Sequence, residues 1–103
     1  MADAPQDVPQ IVVLRTKKNG AFTFLVQVRD TEGESSYDVT LGQKTYERLS
    51  GEKYAPETCV EAAFRFLLDR EPKQSILSSF DIKQISKYFP EFEATLPEYL
   101  PRL

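Results

Sequence analysis

The sequence predicts an α+β fold in which an N-terminal three-stranded antiparallel meander packs against three short-to-medium helices. Three observations carry that prediction. Residues 11–16 and 22–29 are rich in β-branched and aromatic side chains and flank Lys17-Lys18-Asn19-Gly20, a hairpin signal. Tyr37, Val39 and Leu41 then alternate with Ser36, Asp38 and Thr40, the period of a strand with one covered face. Beyond Gly42 the apolar residues recur at helical spacing.

Taken in order, residues 1–9 join Pro5, Pro9, Asp3 and Asp7 to small side chains that bury too little to offset ordering, and read as a disordered leader. A single α+β domain spans 10–92. In the hairpin, a two-residue Asn19-Gly20 turn pairs Arg15 with Phe24, whereas a three-residue Lys18-Asn19-Gly20 loop pairs Leu14 with Phe24 and Val12 with Val26. The second register keeps the cation away from the phenylalanine and is the one expected. It gives an inner face of Val12, Leu14, Phe22, Phe24, Val26 and Val28. Ile11, Val13 and Leu25 then lie on the back, among Arg15, Thr23, Gln27 and Arg29. After the polar turn 31–35, the third strand adds Tyr37, Val39 and Leu41 to the inner face.

The first helix is expected over 43–50, with Tyr46 and Leu49 inward and Gly51 as its left-handed cap. The second has Pro56 in its first turn, Thr58 and Glu61 spaced for a reciprocal capping box, and an apolar stripe of Val60, Ala63, Phe64 and Leu67. Glu57, Glu61, Arg65 and Asp69 draw one solvated line along it, offering Glu61–Arg65 and Arg65–Asp69 pairs, so the rest of the helix needs cover. Pro72 stops it near Arg70, and 73–79 returns the chain. Phe80, Asp81, Gln84 and Ile85 fit a hydrophobic staple plus capping box for a third helix that ends before Pro90. Its face of Ile82, Ile85, Tyr88 and Phe89 covers the 64–68 surface. Residues 93–103 form a C-terminal tail, free to wrap the domain, in which Pro97 and Pro101 rule out a long helix.

Composition narrows the function. A length of 103 residues suits one core, and no apolar run approaches the roughly 20 residues needed to cross a bilayer, so a soluble, cytoplasmic protein is expected. The net charge of -3 repels phosphate, and the one tight basic group, Arg15, Lys17 and Lys18, stands at a hairpin tip, where cations keep a strand edge soluble. The chain has no histidine, which removes the commonest neutral-pH base, a Ser-His or Cys-His nucleophile and any histidine-bearing zinc site. The single Cys59 falls in an apolar helical pattern and reads as a buried thiol. The close acidic pairs, Glu32 with Glu34 and Glu91 with Glu93, read as solvated charge rather than a carboxylate site. Phe22 and Phe24 match the spacing of a base-stacking sheet, but Val26 and Val28 on the same face need burial, so the face reads as core. No catalytic, cofactor-binding or metal-binding residue is assigned.

Two resemblances span parts of the chain. The segment 39–49, VTLGQKTYERL, followed by 56–68, PETCVEAAFRFLL, resembles a ribbon-helix-helix DNA-binding module. That likeness implies a dimer with strand 36–41 as the ribbon, Ser36, Asp38 and Thr40 as reading residues, and helices 43–50 and 57–70 behind it. FLLDREPKQSILSSFDIKQISKYFPEFE, with SYDVTLGQKTYERLSG, is similar to a small bacterial protein family. It implies a bacterial origin and no functional residue.

The functional expectation is therefore a non-enzymatic interaction or accessory domain without cofactor. Its partner is a protein or a second copy of the chain, and nucleic acid, membrane and small-molecule substrate are not expected. The apolar side chains left for that contact are Ile11, Val13 and Leu25 on the sheet back, and Leu96, Tyr99 and Leu100 in the tail. The alternative is the DNA-binding regulator of the first resemblance.

Overall fold

Phe24, Val26 and Val28 alternate with Leu25 and Gln27 and are almost wholly buried, which makes their strand the spine of the sheet. The computed structural model describes residues 9–16, 22–51 and 53–102. Strands β1 (Gln10–Thr16), β2 (Phe22–Asp30) and β3 (Gly33–Leu41) form the expected antiparallel meander. Helices α1 (Gln43–Ser50) and α2 (Pro56–Leu68) follow, then β4 (Ser79–Asp81), α3 (Ile85–Tyr88) and α4 (Phe92–Thr95), with single 3₁₀ turns at Lys73–Ser75, Ile82–Gln84 and Leu96–Glu98.

Among the described residues the sheet has four strands in the order β1-β2-β3-β4, one more than the sequence suggests. β4 lies parallel to β3, with Val39 opposite Phe80 and Thr40 opposite Asp81, and the Asp38 amide donates to the Ser78 carbonyl at 2.8 Å. Three residues between a loop and a capping box carry no alternation to mark a strand. They become one because the crossover through α1 and α2 returns them to the free edge of β3.

The register of β1 corrects the sequence reading. Arg15 pairs with Phe24, Leu14 with Leu25, Val13 with Val26 and Ile11 with Val28. Ile11 and Val13 therefore lie on the inner side against the core, while Val12 and Leu14 face outward, 46% and 48% exposed. The cation opposite Phe24 is not buried. Standing at the end of the strand, Arg15 reaches Glu57 in the first turn of α2 through two hydrogen bonds of 2.8 and 2.9 Å, with its guanidinium 5.1 Å from the centre of the Phe22 ring. The loop expected over Lys18-Asn19-Gly20 lies outside the described residues, as does the leader 1–9 apart from Pro9, whose carbonyl accepts from Arg65 at 3.5 Å.

α1 ends as the sequence suggests, on Gly51 in the left-handed conformation (φ 57°), whose amide donates to the Glu47 carbonyl. α2 starts without the expected capping box. Its N-cap is Ala55, so Thr58 already lies inside the first turn, and Glu61 pairs with Arg65 at 3.3 Å instead. Successive side chains turn by roughly 100° about a helix, so residues two apart point to nearly opposite sides. Phe64 accordingly packs on the sheet side, 5.2 Å from Tyr37 and 5.9 Å from Phe80 between ring centres. Phe66 packs on the C-terminal side, 5.8 Å from Phe89, 5.0 Å from Phe92 and 5.8 Å from Tyr99.

The tail is part of the core. Phe92, Leu96 and Leu100 are buried. Polar contacts hold the segment down: Arg48 with Glu93 at 2.8 Å, Arg70 with Glu91 at 3.1 Å, and the Tyr54 hydroxyl on the Pro101 carbonyl at 2.7 Å. The capping box at Asp81 forms as expected, the Lys83 amide donating to the Asp81 carboxylate at 3.0 Å and the Asp81 amide to the Gln84 side chain at 2.7 Å. The helix behind it opens with a 3₁₀ turn, and Tyr88 rotates out to 67% exposure instead of joining Ile82, Ile85 and Phe89.

Candidate interaction site

The helices cover one side of the sheet, and the outer side chains of β1 and β2 meet none of them. Leu14 and Leu25 stand directly opposite each other there, with Val12 beside Gln27. The patch ends at Thr16 and Thr23, whose hydroxyls share a 2.6 Å hydrogen bond. Toward β3 the same face turns polar, since Leu25 is followed across the ladder by Asp38, and Thr40 and Ser36 flank it. The apolar stripe thus hugs the outer edge. That edge is open: β1 ends the sheet, and among the described residues no strand pairs with its outer side. In an antiparallel ladder every second residue of an edge strand directs its N–H and C=O away from its neighbour, so an open row of donors and acceptors borders the stripe.

Of the six residues singled out for partner contact, Leu25 lies on this face. Ile11 and Val13 face inward, Leu96 and Leu100 are buried, and Tyr99 packs on Phe66 while its hydroxyl donates to Asp69 at 2.5 Å. Val12 and Leu14 are the residues sequence reasoning missed. The run Ile11-Val12-Val13-Leu14 is apolar at every position, so its faces cannot be told apart by alternation, and the signal that separates them, an anion for Arg15, stands 42 residues away.

A second open place lies across the sheet, beside β4. The end of α2, the segment leading to β4, and α3 enclose a cleft of about 260 Å³ lined by Leu67, Ile76, Phe80, Ile85 and Phe89, with Leu77 and Tyr88 at the rim. Glu71 stands in its wall. Burial pushes the Glu71 carboxyl above its ordinary value.

Several other ionisable groups have partners. Lys73 is buried with its ammonium 2.9 Å from Asp30, an arrangement that, with the backbone amide of Glu32, holds the Asp30 carboxyl below the usual range. Arg48 lowers Glu93, the backbone amide and Arg70 lower Glu91, and Glu34 lies 3.7 Å from Arg29. Glu32 accepts from Gln74 at 3.3 Å. The Cys59 thiol is buried, and desolvation pushes it up to about 11. Among the described residues no group of three or more histidine, cysteine or acidic side chains is placed to hold a metal, and no helix is long and apolar enough to cross a membrane. No family model matches the chain, nor does any curated protein or solved structure.

Proposed function

We propose that the chain is a non-enzymatic accessory domain that acts by self-association, pairing β1 with the β1 of a second copy. The observation that carries this reading is an apolar stripe, Val12, Leu14 and Leu25, running along a strand edge that is unpaired among the described residues. Backbone groups at such an edge are a template for another extended strand. An antiparallel pairing centred on Val13 sets Val12 opposite Leu14 of the second copy and Gln10 opposite Thr16, joining two four-stranded sheets into one. Both copies of the stripe then adjoin, and Arg15 falls opposite Ile11. Moving the centre of the pairing from Val13 to Arg15, a slip of four residues, sets the two Arg15 side chains opposite one another, so like-charge repulsion disfavours that register. A cytoplasmic setting accords with a free buried thiol; the bacterial origin rests on the family likeness alone.

A DNA-reading ribbon needs a strand free to pair with its copy. β3 is bonded to β2 along its length and to β4 through Asp38, Val39 and Thr40, so the second reading has no observation in its favour. Sedimentation analysis tests the first. The wild type is expected to sediment as a dimer, and Val12→Lys with Leu14→Lys as a monomer with an unchanged melting curve, because both positions are exposed. A wild type that stays monomeric at high micromolar concentration, or a dimer that survives both substitutions, overturns it.

A further inference from the structure

We propose that the cleft between the end of α2 and α3 is a docking site for a peptide segment of a partner protein, one that presents a bulky apolar side chain beside an arginine or lysine. Size argues for a peptide. Pockets that enclose small molecules occupy about 300–1,000 Å³, and this cleft, at about 260 Å³ and open along one side, holds one or two side chains. Its floor of Phe80, Ile85 and Phe89 suits an apolar anchor. Leu77 and Tyr88, 51% and 67% exposed, extend the contact beyond the cavity as a flanking residue requires.

Charge sets the second feature. Nearby acids are engaged, Glu91 by Arg70 and Asp69 by the Tyr99 hydroxyl, whereas the Glu71 side chain has neither ion pair nor hydrogen bond among the described residues. A partly buried carboxylate beside apolar side chains and without a cation carries a desolvation cost in the free protein, and an incoming guanidinium or ammonium offsets it. The raised Glu71 pKa reports the same desolvation. β4 and β1 form opposite edges of the sheet, so peptide docking and self-association are separable, and the substitutions at Val12 and Leu14 leave this site intact.

The test titrates the isotope-labelled full chain with three synthetic peptides that share a leucine anchor and differ only in its neighbour, Arg, Gln or Glu, followed by amide chemical shifts. The arginine peptide is expected to shift Glu71, Leu77, Phe80 and Tyr88 and to bind about threefold to fivefold tighter than the glutamine peptide, the range of a partly exposed ion pair. The glutamate peptide binds weakest. Glu71→Gln brings the arginine-to-glutamine ratio to about one while binding persists, and Tyr88→Ser weakens all three peptides without changing the ratio. Absence of shifts at these residues with every peptide overturns the proposal, as does an arginine preference that survives Glu71→Gln. Phenylpropylamine binding as tightly as the arginine peptide also overturns it, reassigning the cleft to a small amine.

Discussion

A cation can occupy the core side of a strand when it stands at the strand's end with an anion in reach, and Arg15 does both. The two possible faces of β1 bury either Ile11 and Val13 or Val12 and Leu14, sets that differ only by an isomer of the same side chain. Their hydrophobic contributions, about 1.5–3 kcal/mol per side chain, therefore nearly cancel. Against such a balance even a half-exposed pair such as Arg15–Glu57, of a kind worth about 0.2–1 kcal/mol, has a vote, together with the geometry of the hairpin. Cys59 shows the opposite case, a residue whose setting is decided by its helix face. With its thiol buried and its pKa near 11, native protein is expected to leave Ellman's reagent unreacted at neutral pH and to release one equivalent of thionitrobenzoate once unfolded in guanidinium. Rapid labelling of the folded chain contradicts that burial.

At the scale of elements, α2 is the organiser because both of its sides are used. The sheet takes Phe64, and the C-terminal segment closes around Phe66, with the Arg70 guanidinium 3.7 Å from the Phe66 ring centre. Phe66→Ala removes the ring on which Phe89, Phe92 and Tyr99 converge, and is expected to cost about 3–5 kcal/mol in urea unfolding, a large share of the roughly 5–15 kcal/mol that holds a domain together. A loss below about 1 kcal/mol would mean that the tail does not depend on this contact. The stripe, the solvated line and the end of α2 were legible in its spacing. The phase of α3 was not. Its single turn is too short to carry a stripe, and Tyr88 stands outside the face that Ile82, Ile85 and Phe89 share, 67% exposed at the rim of the cleft.

For the molecule as a whole, pH dependence follows from where its carboxylates found partners. Lys73 lowers Asp30, Arg15 lowers Glu57, Arg48 lowers Glu93, and a backbone amide with Arg70 lowers Glu91. For each, the unfolded chain binds a proton at a pH where the folded chain does not, so the stabilisation is complete above the ordinary carboxylate values and is lost as pH falls through the depressed folded ones. Glu71, raised by burial, has the reverse sign, its contribution present below its ordinary value and lost as pH rises through the raised one. Among the described residues four lowered carboxyls stand against one raised, so stability is expected to fall in acid. The urea midpoint is expected to be flat near neutrality and to fall below about pH 4.5, less steeply in Asp30→Asn. A midpoint that rises on acidification would show that Glu71 outweighs the paired acids.

By itself the sequence determined what short-range chemistry can specify. The alternation of β2 and β3, the helical stripe of Val60, Ala63, Phe64 and Leu67, the left-handed cap at Gly51 and the capping box of Asp81 with Gln84 each depend on residues within a few positions of one another. Only the tertiary structure decided which side of β1 faces the core, that Ser79–Asp81 would become a parallel strand, and that Leu96 and Leu100 would be buried while Val12, Leu14, Leu77 and Tyr88 remain open. Those outcomes depend on partners that the crossover and the returning tail bring from far along the chain. A side chain's environment is then set by where the chain closes in space, and local spacing carries no record of that closure.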